Sequence, residues 1–331
     1  MTAAPSEPAS SRFAVESFAP IAVARRSGFD ESVHTGAGVV VDADGRVVAS
    51  IGDPHLPVYL RSSLKAFQAA AMVDAGLDLP SELLALVCAS HSGESFHLEG
   101  VLTILASAGL GAEALGNAAT LPYGEAARNE VLAGGGAASS LFQNCSGKHA
   151  GMLATCVANG WPTGDYLAVD HPLQRTICDW IEASGAAVHH VGVDGCGAPT
   201  HALALREGAD LFRSMALAAS PVLDAMATHP EFVGGSGRDV TDWMVAVPGL
   251  VAKDGAAGVQ ALVLTDGDHR GWAAMYKVAD GSSEARSAVI PAALAAMGVD
   301  VERATAGSSL GTVPVLGGGS TVGTIDPVAW T

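Results

Sequence analysis

Residues 36–52 read GAGVVVDADGRVVASIG. Two short apolar runs flank Asp44-Gly45, and an Asp-Gly pair set between strand-like runs is a strong local signal for a β-hairpin. Working outward, FAPIAVARR at 18–26 reads as a further strand, joined to the hairpin by a connector, so this end of the chain is a β-meander. Near the other end VQALVLTDG (259–267) and GWAAMYKVAD (271–280) repeat the pattern around a second Asp-Gly turn, and STVGTID (320–326) reads as a last strand.

Between these ends the apolar period becomes helical. SLKAFQAAAMVDAG, SELLALVCAS, HLEGVLTILASAG, GEAARNEVLAGG and KHAGMLATCVANG, spread over 63–160, each end near a glycine or a polar turn. A helix over 171–184, a short strand in HHVGVDG, a helix over 200–219 and another over 283–297 complete the pattern. Strands at both ends around a helical middle predict an α+β fold: an antiparallel sheet formed by N- and C-terminal strands with helices packed on it. Residues 1–12, rich in Ala, Pro and Ser, predict a flexible tail, and no linker divides residues 13–331.

With 331 residues, 49% of them hydrophobic and 15% charged, the chain has ample material for a core. The formal charge of −17 and the lack of any basic run exclude nucleic acid and anionic membranes as partners. The N-terminus lacks the basic segment and apolar core of a secretory signal, and the apolar stretches are too short or too interrupted to span a bilayer. A cytoplasmic protein is expected. Five cysteines, an odd set in a large chain, argue against a disulfide scaffold and leave thiols or metal ligands.

Lysine is scarce, at four residues against thirteen arginines, and three of the four sit in motif-like stretches. In RSSLKAFQAA (61–70), Ser62 and Lys65 are three apart at the start of a helix and share a face, whereas Ser63 points elsewhere. Exposed N–H groups at a helix start favour an oxyanion, which suits a nucleophile. As a base Lys65 must be neutral, and lowering its pKa by about three units costs roughly 4 kcal/mol. A serine cap followed by an ordinary exposed lysine fits the same four letters.

In CASHSGESFHLEG (88–100) an apolar element ends in hydroxyl, imidazole and carboxylate groups. Ser90 and His91 lie closest to the buried element, and the later polar residues suit a helix cap. QNCSGKHAG (143–151) places Cys145 and Lys148 three apart, and VDGCGAPTH (193–201) places Asp194 and Cys196 in a tight turn. Two cysteines and an aspartate with one nitrogen, from His149 or a neutral Lys148, could bind zinc. Inert buried thiols are the other reading, and the spacing matches no standard zinc pattern. In PGLVAKDGAAGV (248–259) Lys253 precedes a strand, in the order of the S-x-x-K and K-T-G elements of acyl-transferring enzymes, although the text here is K-D-G. Gly234 to Gly237 match no phosphate loop and read as a turn.

Taken in order, RSSLKAFQ, CASHSGE, NCSGKHAGML, DGCGAP and VAKDGAAG resemble the asparaginase II family of thermolabile rhizobial-type L-asparaginases, from about Arg61 to Gly258. The resemblance implies a fold similar to serine β-lactamases, penicillin-binding proteins and serine glutaminases, making 13–331 one catalytic domain. It implies hydrolysis of L-asparagine to L-aspartate and ammonia, by two serine-lysine pairs that fall on Ser62 with Lys65 and on Ser90 with Lys253. It also implies Zn2+ on Cys145, Lys148 and Cys196, with Asp194 as fourth ligand or close partner, and a homodimer. Arg61, His91, Glu94 and Asn144, inside the same motifs, become candidates for binding substrate. Ser62 and Ser90 both stand as possible nucleophiles. The rivals are another serine-lysine amidohydrolase, such as a glutaminase or β-lactamase-like enzyme, and a zinc-binding protein without turnover.

Overall fold

The computed structural model describes residues 15–331, so the expected tail at 1–12 lies outside the described residues. The chain opens with strands β1 (Ala19–Arg26), β2 (Phe29–Val41), β3 (Val47–Ile51) and β4 (Pro57–Tyr59). A 3-10 turn, Arg61–Leu64, runs into helix α1 (Lys65–Asp74), followed by α2 (Ser81–Val87), α3 (Ser95–Ser107), α4 (Glu125–Ala133), α5 (Ser146–Ala158) and α6 (Pro172–Ala183). Then come β5 (His190–Val193), β6 (Pro199–Ala204), α7 (Leu205–Leu217), α8 (Pro221–Thr228), α9 (Pro230–Val233) and α10 (Asp239–Ala246). The last part holds β7 (Leu250–Gly255), β8 (Val259–Leu264), β9 (Ala273–Val278), α11 (Ser283–Ala296), α12 (Val301–Thr305), β10 (Val313–Gly317) and β11 (Ser320–Pro327).

The fold is α+β, with the main sheet antiparallel throughout and ordered β10, β11, β1, β2, β9, β8, β7; β3 continues the pairing of β2 where β1 leaves off. Both chain ends therefore complete one sheet, as the sequence predicts. Helices cover both of its faces: α7 brings Gly208 against Met275, while α11 meets the neighbouring Tyr276, whose hydroxyl donates to the Arg286 carbonyl at 2.6 Å. Adjacent strand residues face opposite sides. Double coverage explains why β8 and β9 are apolar runs rather than alternating ones.

Three segments differ from the sequence reading. The connector at 27–35 is a two-residue turn at Ser27-Gly28, both with positive φ of 51° and 81°, followed by the first half of β2, whose polar side chains are exposed. The expected helix over 200–219 begins only at Leu205. Residues 199–204, PTHALA, are a wholly buried strand between β4 and β5, so cross-strand pairing overrides the helix preference of Ala and Leu. The Glu207 side chain accepts the Ala204 N–H at 2.9 Å and marks the true helix start. Strand β10 and the short helices α8 to α10 carried too little periodicity to be read.

What matters for the site is the meeting of β7 with the 3-10 turn. β7 is an edge of the sheet, and its end lies so close to Leu60 that a Cβ on Gly255 would come within 2.7 Å of the Leu60 carbonyl oxygen. Ser63, the serine off the lysine's face, donates from its buried hydroxyl to the Lys253 carbonyl at 3.1 Å. This anchors the strand that carries Lys253 to the turn that carries Ser62.

Candidate active site

Three lysines lie in the interior: Lys65, Lys148 and Lys253 are 1%, 2% and 0% exposed, which rules out a role as surface charge. The fourth, Lys277, is half-buried and donates to the carbonyls of Ala257 and Val278, bracing the turn after β7, where Ala257 has a φ of 60°.

Ser90, just beyond α2, is the meeting point of two of them. Lys253 Nζ reaches Ser90 Oγ at 2.8 Å and Lys65 Nζ reaches it at 3.3 Å. Lys65 also donates to the Ala89 carbonyl, and Lys253 to the carbonyl of Asp254, at 2.8 Å, and to its carboxylate. Burial lowers the Lys253 pKa to about 8; Asp254 opposes this, while Lys65 and Arg238 add to it. The Asp254 carboxyl is disfavoured as a charge by burial, yet Lys253 and Arg238 hold it well below the usual carboxylate range.

Ser62 stands differently. It shares the turn with Lys65, whose backbone N–H donates to the Ser62 carbonyl, but its hydroxyl makes no hydrogen bond among the described residues. At 9% it is also more exposed than Ser90, at 3%. Arg61 beside it has a φ of 53°, a left-handed conformation that costs a non-glycine residue about 1 kcal/mol or more. Arg61 is held there by Asp194, whose Oδ1 accepts Nε at 2.8 Å and Nη2 at 2.6 Å.

A second cluster adjoins the first. Cys145, the residue before α5, and Cys196, in the turn between β5 and β6, are buried, and Lys148 Nζ lies 3.2 Å from Cys196 Sγ. Interaction between the two cysteine side chains holds the Cys145 thiol well below its ordinary pKa and pushes the Cys196 thiol up. Lys65 and Lys148 both favour the Cys145 thiolate, so Lys65 links the two clusters. Burial opposes the Lys148 charge, but Cys196, Cys145 and Asp194 outweigh it and raise the Lys148 pKa.

Among the described residues no three His, Cys, Asp or Glu side chains converge closely enough to hold an ion on their own. His149 is turned to Tyr166, its Nδ1 lying 2.8 Å from the hydroxyl, and Asp194 is engaged by Arg61. Lys148 Nζ, 3.2 Å from Cys196 Sγ, is a nitrogen already in contact with the cysteine pair. Two thiols and an amine are a donor set suited to zinc, once the amine gives up its proton. His149 Nε2, buried without a hydrogen-bond partner and in electrostatic reach of Cys196, is an additional unsatisfied donor or acceptor at this spot.

The remaining candidates surround these clusters. His91 Nε2 lies 2.9 Å from Ser146 Oγ, and its backbone N–H donates to the Asn144 carbonyl at 3.2 Å, fixing the approach to Cys145. Asn144 Oδ1 accepts from the Cys145 thiol at 3.2 Å and lines a cleft of about 410 Å³ with Thr120, Tyr123, Arg128 and Gln143. Glu94 is occupied elsewhere: both its oxygens accept from Ser236, each at 2.8 Å. Two residues that the sequence reading passed over belong to the site: Asp254, visible only as the odd letter in K-D-G, and Arg238, which donates to the Ser90 carbonyl and to Asp254.

A family model described as L-asparaginase II matches residues 22–327. Its class is that of amide-hydrolysing enzymes, and the chain belongs to the L-asparaginase II family. It is thus an L-asparaginase-type amidohydrolase acting on a small-molecule amide. No curated protein sequence matches the chain. Among the described residues no helix is long and apolar enough to cross a membrane.

Proposed function

We propose that the chain hydrolyses the side-chain amide of L-asparagine through an acyl-enzyme on Ser62, with Ser90 relaying the proton from Lys65 and Lys253 stabilising the Ser90 oxygen. The observation that carries this reading is the division of labour between the serines. Ser90 Oγ is held at 2.8 and 3.3 Å by two lysines, whereas the Ser62 hydroxyl, one turn from Lys65, is free to meet a substrate. Lys65 accepts the Ser62 proton as Oγ attacks the amide carbon, and a tetrahedral oxyanion forms beside the N–H groups of the turn. The C–N bond then breaks, and the nitrogen takes the proton from Lys65 through Ser90 and leaves as ammonia. Water adds to the β-aspartyl ester by the same route reversed, releasing aspartate and returning the proton to Ser62. Lys253, whose three contacts match the three N–H bonds of an ammonium, stabilises negative charge passing through Ser90 Oγ.

Zinc would be held by Cys145, Lys148 and Cys196. When bound, it supplies a positive charge that organises the pocket and binds polar groups of the substrate. Arg61 and Asp194, an adjacent cation and anion, suit the carboxylate and ammonium of an amino acid. We read the protein as a cytoplasmic homodimer, for which light scattering should give twice 33.2 kDa.

A second reading makes Ser90 the nucleophile, favoured by its shorter contact with Lys253. Ammonia release from asparagine by the zinc-loaded protein, followed by acid quench and mapping of the ester-bearing peptide, tests both. An ester on the Ser62 peptide supports the first reading, one on the Ser90 peptide supports the second, and absence of ammonia release sinks both.

A further inference from the structure

Arg238 lies in the loop before α10, 148 positions from Ser90 and 16 from Asp254, and its guanidinium makes three contacts at the site. Nη1 donates to the Ser90 carbonyl at 2.9 Å and Nη2 to Asp254 Oδ2 at 2.8 Å. Its carbon centre stands 4.5 Å from the ring centroid of Tyr123, which lines the cleft beside Asn144. The other oxygen of Asp254 is taken by Lys253. One carboxylate thus bridges Arg238 and Lys253, and the same Arg238 grips the backbone of the serine that Lys253 must reach.

We infer that Arg238 is a positioning residue for catalysis: through Asp254 and the Ser90 carbonyl it fixes Lys253 against Ser90 Oγ and divides the Asp254 charge between two cations. A guanidinium suits this task because its planar fork reaches two acceptors at once, and a single ammonium cannot. The charged and titratable groups around Lys253 are Lys65 from α1, Cys88 at the end of α2, Asp254 on its own strand and Arg238, with Arg286 of α11 acting through Asp254. Removing Arg238 takes away a cation that disfavours the Lys253 charge and frees Asp254 to favour it. Both changes act in one direction and hold Lys253 protonated to higher pH. A residue that merely packed the loop would leave that titration where it was.

The inference rests on the proposed role of Lys253 as the ammonium that stabilises Ser90 Oγ, and the test separates the two. In the zinc-loaded enzyme with saturating asparagine, the alkaline limb of kcat should lie near the Lys253 value of about 8. In Arg238→Gln it should move up by roughly one unit, as expected for losing a nearby charge, while kcat at neutral pH falls about tenfold. Arg238→Lys keeps the charge and loses one contact, so its limb should lie between the two. A limb that stays at the wild-type pH in Arg238→Gln overturns the inference even where wild-type turnover supports the proposed reaction. Should Arg238→Gln lose its far-UV circular dichroism, an unmoved limb in Arg238→Lys overturns it equally. Wild-type protein that releases no ammonia fails the proposed reaction instead.

Discussion

Lys253 and Lys148 are the same residue in the same interior, and their surroundings drive them in opposite directions. Burial lowers Lys253, whose one carboxylate partner is shared with Arg238 and whose neighbours include Lys65. Burial also works against Lys148, but two sulfurs and Asp194 outweigh it, so its charge is held more firmly than in water. The balance of negative partners against positive neighbours, rather than depth, sets each lysine's character. The result is one lysine whose proton is loosened, to a pKa of about 8, beside Ser90 and one whose proton is held tightly by the thiols and Asp194.

The sharpest break in this comparison falls on the serines. Ser62→Ala should lower kcat by about a thousandfold or more while circular dichroism stays unchanged, whereas Ser90→Ala, losing the relay but not the nucleophile, should cost about tenfold to a hundredfold. The reverse ranking would move the nucleophile to Ser90. On the thiol side, Cys145→Ser should abolish stoichiometric zinc by elemental analysis. Asp194→Asn should retain the metal, because Arg61 already engages that carboxylate, and zinc lost from Asp194→Asn would make it a ligand. Asp254→Asn removes the group that raises Lys253, so the alkaline limb of kcat should move below about 8, opposite to the shift expected on removing Arg238. The smallest effect belongs to Ser63→Ala, which breaks one buried hydrogen bond to the Lys253 carbonyl. It should cost about 1 kcal/mol in urea unfolding with kcat within a few-fold of wild type. A collapse of activity there would show that Ser63, not its neighbour, carries the chemistry.

Much of the site was legible along the chain because its parts are short motifs with fixed offsets. The three-residue spacing drew attention to Ser62 and Lys65, although Lys65 Nζ turns to Ser90, and the scarcity of lysine flagged three that prove to be buried. Other parts were hidden for physical reasons. Arg238 stands in a glycine-rich loop with no periodicity, and its meaning lies in partners at positions 90 and 254. Glu94, prominent in its motif, is turned to Ser236 instead. PTHALA was misread because alanine and leucine suit a helix until two neighbouring strands claim their backbone.

By itself the sequence determined the α+β layout, the sheet completed by both chain ends and the short motifs that supply the candidate residues, since period, turn residues and local spacing are properties of neighbours along the chain. Only the tertiary structure decided that Lys65 turns to Ser90 and leaves the Ser62 hydroxyl free, that Asp254 joins Lys253 to Arg238, and that Lys148 meets Cys196 while His149 Nδ1 meets Tyr166. These pairings join residues up to 163 positions apart, and charge and burial act through space, so no local pattern encodes them.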